Sequence, residues 1–118
     1  MTSDRELLTL AAKAAGIEVA YWNDGSEPYS SGEGFILASN RIWNPLTDDG
    51  DALRLAVKLK IDFYTGDDDG EAAYAGFFDV TLNNRQRFAI ERFENSDPYA
   101  ATRRAIVKAA SSIGRSMK

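Results

Sequence analysis

The chain has 118 residues, 44% of them hydrophobic, and contains neither cysteine nor histidine. That length and apolar content suit one domain, residues 1–118, around one core. The missing residue types exclude disulfides, thiol nucleophiles, imidazole bases and cysteine or histidine zinc sites, leaving carboxylates, hydroxyls, Lys and Arg to do any chemistry. The net charge of −4 conceals a division, because residues 1–80 balance at −9 and residues 81–118 at +5. Solvated helices and acidic turns account for such a division, and so does a partner surface of one sign. No apolar run approaches the roughly 20 residues of a membrane span, and the opening Met-Thr-Ser-Asp is not a basic, apolar leader. The expectation is a protein with no membrane association.

Ser3-Asp4-Arg5-Glu6 reads as a capping box, so the first helix starts there. Leu7, Leu8, Leu10, Ala11, Ala14 and Ala15 give it an apolar stripe, and Gly16 supplies the left-handed residue that ends it. Residues 17–22 alternate as a strand, with Ile17, Val19 and Tyr21 on one face, Glu18, Ala20 and Trp22 on the other, and Asn23-Asp24-Gly25 as the turn. Residues 24–34 hold too little apolar area to offset their ordering entropy and read as a mobile loop. A short strand follows at 35–38.

In Trp43-Asn44-Pro45-Leu46-Thr47-Asp48-Asp49-Gly50-Asp51, the proline keeps Asn44 out of the helical region and Thr47 can cap a second helix whose first turn is loaded with carboxylates. Leu53, Ala56, Val57 and Lys60 then recur at helical spacing, which makes Leu53 and Val57 core residues. Residues 61–65 form a strand that runs into the hairpin loop 66–70. Strands at 72–82 and 85–93 flank a turn at Asn83-Asn84. Asp97 caps the last helix, Pro98 suits its first position, and the helix runs to about residue 113 with Tyr99, Ile106, Ala109, Ala110, Ile113 and Met117 along one face. The order α-β-β-α-β-β-β-α predicts an α+β domain, an antiparallel sheet of four to five strands packed with three helices. Leu7, Leu8, Ala11, Leu53, Val57, Ile106, Ala110 and Ile113 are its expected core.

Asp48, Asp49 and Asp51 crowd a helix start densely enough to hold magnesium or calcium. Carboxylates in a first turn each stabilise the helix by roughly 0.3–1 kcal/mol, so a cap accounts for them without a metal. Asp67, Asp68, Asp69 and Glu71 lack the alternating D-x-D-x-D-G spacing of a calcium loop. No metal, cofactor or catalytic residue is assigned, and the expectation is a protein that is not an enzyme. Trp22, Trp43, Tyr21, Phe77, Phe78, Phe88 and Phe93 match a base-stacking platform by composition, but a sheet beneath three helices needs such residues as core. Arg85, Arg87 and Arg92, interleaved with Phe88 and Phe93, are the best nucleic-acid candidates.

The run from Trp43 to Leu59, with the opening Asp4-Arg5-Glu6-Leu7-Leu8 and the closing Tyr99-Ala100-Ala101-Thr102-Arg103-Arg104-Ala105, resembles the phage ABA sandwich family, small proteins of tailed phages and prophages of proteobacteria. The resemblance is carried most specifically by Trp43, Asn44, Pro45, Thr47, Asp48, Asp49 and Asp51. It implies an alpha/beta/alpha sandwich and a phage origin, hence the host cell cytoplasm, and carries over no catalytic residue.

From a small, acidic chain with that resemblance we expect a non-enzymatic protein-binding module. Its partner would be a host protein, and its role inhibition of a host defence system, in the manner of an anti-CRISPR protein, or of another nucleic-acid-processing host protein. Asp24, Glu27, Glu33, Asp67, Asp68, Asp69 and Glu71 are the candidate partner surface. The alternative is a nucleic-acid-binding accessory using the basic surface of Arg85, Arg87, Arg103, Arg104 and Lys108. A small metal-dependent enzyme using the carboxylates of residues 48–51 is the second alternative, and the chain is also compatible with a homodimer.

Overall fold

Helix α1 (Asp4–Ala15) begins where Ser3 Oγ accepts the backbone N–H of Glu6 at 3.2 Å. It ends at Gly16, whose φ of 68° lets the N–H groups of Gly16 and Ile17 return to the carbonyls of Lys13 and Ala12. This double closure is a Schellman motif, and it draws Ile17 back onto the helix end. The following strand therefore starts two residues later than its alternation predicts, as β1 (Val19–Asp24). These elements belong to a computed structural model that describes residues 3–24, 33–65, 72–79, 84–92 and 97–117, the side chains of 77–79, 84–90 and 92 excepted.

Strand β1 pairs antiparallel with β2 (Glu33–Leu37), and β2 pairs with β3 (Ile42–Trp43) through a tight turn in which Asn40 takes a positive φ of 66°. A register shift between Val19 and Tyr21 breaks the expected alternation. Val19 and Tyr21 are exposed, whereas Trp22 turns inward and meets the Phe35 ring edge-on at 5.0 Å, with the Arg5 guanidinium 5.7 Å from its centroid. Helix α2 (Asp49–Leu59) follows, then β4 (Asp62–Tyr64), β5 (Ala72–Asp79) and β6 (Asn84–Arg92) as a second antiparallel sheet. Helix α3 (Pro98–Ser116) closes the chain, capped by Asp97 through the Ala100 N–H at 2.7 Å. The domain is α+β with three helices in the expected order. In place of one sheet of four to five strands there are two sheets of three, the extra strand being β3. Asp24, Glu33 and Gly34, expected in the loop 24–34, are strand residues of β1 and β2, and Asn84, expected in the turn, opens β6; residues 25–32, the hairpin loop 66–70, Asn83 and Phe93 lie outside the described residues.

Helix α3 packs on α1, on α2 and on the second sheet. Its buried side is almost entirely small, with Ala101, Ala105, Ala109, Ala110 and Gly114 beside Ile106 and Val107. A Cβ on Gly114 would stand 2.0 Å from the backbone oxygen of Leu10, so α1 and α3 meet backbone to backbone there. Leu7, Leu8, Ala11, Ile106 and Ala110 are buried as expected, and Ile113 is half-buried against the core. Tyr99 and Met117, aligned by helical spacing with Ile106, Ala109, Ala110 and Ile113, are exposed at the two ends of that face.

The inner face of α2 differs from its predicted one. Leu53 and Val57 are 54% and 69% exposed, and the core is reached instead by Ala52, Leu55 and Ala56, with Leu59 packed against it. Those four follow an i, i+3, i+4, i+7 pattern, a fuller stripe than Leu53, Ala56, Val57 and Lys60. Lys60 is no part of the stripe, because it is the left-handed C-cap with φ 56°. No helix among the described residues is long and apolar enough to cross a membrane.

Leu55→Ala should cost about 2–5 kcal/mol of unfolding free energy and Leu53→Ala less than about 0.5 kcal/mol. Urea denaturation of the two variants measures this, and equal losses would reverse the assigned face. Gly114→Ala should also lower the urea midpoint, since the added methyl group has backbone, which cannot rotate away, in its place.

Candidate functional site

Asn44 and Asp51 build the corner from which α2 departs. The Asn44 side chain accepts from the Leu46 N–H at 2.9 Å and donates from Nδ2 to the Glu33 carbonyl at 2.6 Å, while the backbone carbonyl of Asn44 accepts the N–H groups of Thr47 and Asp48. Thr47 does not cap the helix; its hydroxyl donates back to the Asn44 carbonyl. The cap is Asp48, whose Oδ2 accepts the Asp51 N–H at 2.8 Å. One residue makes the difference: Thr47 is still inside the turn that Asn44 closes.

Asp51 itself is buried. Its Oδ2 accepts the Asn44 N–H at 3.0 Å, and its Oδ1 receives Arg54 Nη2 at 2.8 Å and Arg41 Nη1 at 3.1 Å. Asp49 points the other way, toward α3, where Arg103 Nη1 donates to its Oδ1 at 2.6 Å and Arg103 Nε donates to the Leu46 carbonyl at 2.9 Å. The three clustered aspartates thus diverge, one to a cap, one to a buried ion pair and one to a bridge between helices. Among the described residues no three carboxylates gather as metal ligands.

The bridge from Asp49 to Arg103 stands at the end of a groove of about 520 Å³ between α2, α3 and β4. Ala52, Leu53, Phe63, Tyr99, Thr102 and Ile106 line it. Tyr99 is 69% exposed on its rim, and Val57 lies one turn along α2 from Leu53. The volume lies within the roughly 300–1,000 Å³ usual for binding clefts, and the lining is predominantly apolar. Thr102 is 9% exposed and its hydroxyl has no hydrogen-bond partner among the described residues. A buried hydroxyl left unpaired costs about 1–3 kcal/mol, which a polar group entering the groove would offset if Thr102 rotated about χ1.

The expected partner surface is only partly described. Asp24 and Glu33 are both exposed and stand opposite each other in the β1–β2 pairing, which sets two carboxylates at one end of that sheet. Glu27, Asp67, Asp68, Asp69 and Glu71 lie outside the described residues. On the basic surface, Arg103 is held by Asp49, Arg104 reaches Asp4 at 3.0 Å and Glu91 at 3.9 Å, and Lys108 pairs with Glu91. The backbones of Arg85 and Arg87 sit opposite Phe78 and Gly76, and the side chains of both arginines lie outside the description. Of the suggested stacking aromatics, Trp43 is buried, Trp22 is half-buried and Tyr21 is exposed; Phe77, Phe78, Phe88 and Phe93 fall outside the described side chains.

The sequence pattern assigns Leu53 to the core and so passes over the groove that Leu53 borders. The signal for it is the competing stripe of Ala52, Leu55, Ala56 and Leu59, which is apolar at all four positions whereas its rival ends on Lys60. No family model, curated protein or solved structure matches the chain.

Asp51→Asn should lower stability by about 1–3 kcal/mol, because it leaves Arg41 and Arg54 without their shared carboxylate while the Asn44 N–H loses a charged acceptor. Urea melts test this, and a loss smaller than that of Asp49→Asn would mean that the buried carboxylate does not hold the corner.

Proposed function

We propose that this chain is a non-enzymatic protein-binding module whose docking face is the groove between α2 and α3. The observation that carries this reading is the exposure of Leu53, Val57 and Tyr99 around a concave, apolar lining. Apolar area removed from water is worth roughly 25 cal/mol per Å², so leaving three large side chains outside has a cost that a docked partner would recover. The resemblance to small phage proteins favours a host protein as that partner, with inhibition of a defence or nucleic-acid-processing protein as the role. Arg103, Arg104 and Lys108 already neutralise carboxylates of their own chain, which argues against α3 as a phosphate-binding surface. The aspartates of residues 48–51 are engaged separately, which argues against a shared metal and the enzyme it would serve.

Affinity capture from host lysate tests the reading. The wild-type chain should retain one stoichiometric protein, resistant to nuclease, and Leu53→Asp combined with Tyr99→Ala should lose it while melting within a few degrees of wild type. Nuclease-sensitive recovery, or capture unchanged in the double variant, would sink it.

A further inference from the structure

The groove between α2, α3 and β4 contains a polar group that the fold leaves unpaired. Thr102 belongs to its lining and is only 9% exposed, and its Oγ1 is closed off from solvent with no hydrogen-bond partner among the described residues. A threonine in a helix has two χ1 rotamers within reach, and passing between them exchanges hydroxyl and methyl. A ligand that hydrogen-bonds to the hydroxyl favours the rotamer that turns it to the groove. The rest of the lining limits what that ligand can be. Its charged residues, Asp49 and Arg103, are joined to each other at 2.6 Å, so a charged ligand would give up its hydration for no counter-charge. Phe63 from β4 and Tyr99 from α3 add aromatic rings to the apolar side chains of Ala52 and Ile106, and rings packed on rings gain more than their buried area alone supplies. The lining therefore suits an uncharged aromatic ring that carries one hydrogen-bonding group. A threonine hydroxyl both donates and accepts, as a phenol does, whereas an indole N–H only donates.

We infer that the groove seats a tyrosine side chain of the protein partner, its ring against the aromatic lining and its hydroxyl hydrogen-bonded to Thr102. The inference rests on reading the groove as the docking face, and it names the residue that enters it. Thr102 is then the residue that sets specificity, because it distinguishes a phenol from a plain ring. It does so at the expense of the free chain, in which a buried hydroxyl without a partner is destabilising and a valine of the same shape would not be. A residue that breaks a packing rule in this way belongs to a binding site more naturally than to a core.

NMR titration of the full, isotope-labelled chain with N-acetyltyrosinamide and N-acetylphenylalaninamide, which differ by the hydroxyl alone, tests this. The tyrosine derivative should shift the backbone signals of Phe63, Thr102 and Ile106 and bind roughly fivefold or more tightly than the phenylalanine derivative, the difference that one net hydrogen bond supplies. Thr102→Val should erase that preference and hold the phenylalanine derivative to within about twofold of its wild-type affinity. It should also melt no lower than wild type, because it removes a buried unpaired hydroxyl. Absence of binding by either derivative up to about 20 mM overturns the inference. So does a wild-type chain with no preference for the phenol, or a preference that survives in Thr102→Val. A Thr102→Val chain that melts several degrees below wild type overturns it as well, since the hydroxyl would then be paired already. A chain without the tyrosine preference that still captures a host protein through Leu53 and Tyr99 sinks the inference alone. A Thr102-dependent preference in a chain that captures nothing supports the tyrosine seat and sinks the host-binding reading alone.

Discussion

The buried carboxylate of Asp51 is the constraint on which the arrangement of this domain depends. Its two oxygens hold the backbone of Asn44 ahead of α2 and the guanidinium groups of Arg41 and Arg54 on either side of the corner. Asn44 in turn grips the carbonyl of Glu33, so the first sheet and the second helix are fixed relative to each other by one connected polar network. Such a network is stable only when every member is satisfied, because an unpaired charge at that depth would cost more than an apolar replacement. Gly34 lies under the same corner, where a Cβ would come within 2.9 Å of the Trp43 carbonyl oxygen. The sheet thereby approaches the corner as closely as backbone allows.

With the start of α2 fixed, its rotation about its own axis is fixed as well. Ala52, Leu55 and Ala56 are turned inward, and Leu53 and Val57 are carried to the surface beside α3. Arg103 then ties α3 to the first turn of α2 through Asp49 and Leu46. The groove is the space left between two helices whose separation is set at one end by this charged bridge. Binding at such a place calls for little reorganisation of the backbone, and a surface ordered before it meets a partner loses less entropy in meeting it.

Much of the fold was legible in the sequence because its punctuation is local. Ser3 with Glu6, Gly16, and Asp97 with Pro98 mark helix ends by hydrogen-bonding rules that involve only neighbours: Ser3 accepts the Glu6 N–H, and Gly16 and Asp97 close and cap their helices as read. The inner face of α2 was not legible from the apolar residues taken singly, since Leu53 and Val57 have the same hydrophobicity whether they meet a core or a partner. Which of two overlapping stripes points inward is decided by Asn44 and Asp51, seven residues apart and far from either stripe's centre. The extra strand escaped for a related reason: β3 is two residues long and follows a turn with Asn40 at positive φ, so no run of strand-forming residues announces it. The charges of α3 looked like a surface because their counter-ions lie far away in the chain, Asp49 and Asp4 among them.

The alanine-rich interior of α1 and α3 has a consequence for how this chain can vary. Alanine and glycine lose no side-chain rotamer freedom on burial, so the interior is ordered at low entropic cost even though each contact removes little area from water. Closeness substitutes for bulk. A core of large side chains accepts exchanges of shape at constant volume, but one made of close-set backbones has no volume to exchange. Substitution in this domain is therefore directional. Positions such as Ala105, Ala109 and Gly114 can hardly grow, whereas Leu53, Val57 and Tyr99, which the interior does not need, can be replaced without loss of the fold. The surface proposed to meet a partner is thus free to change while the scaffold beneath it stays the same.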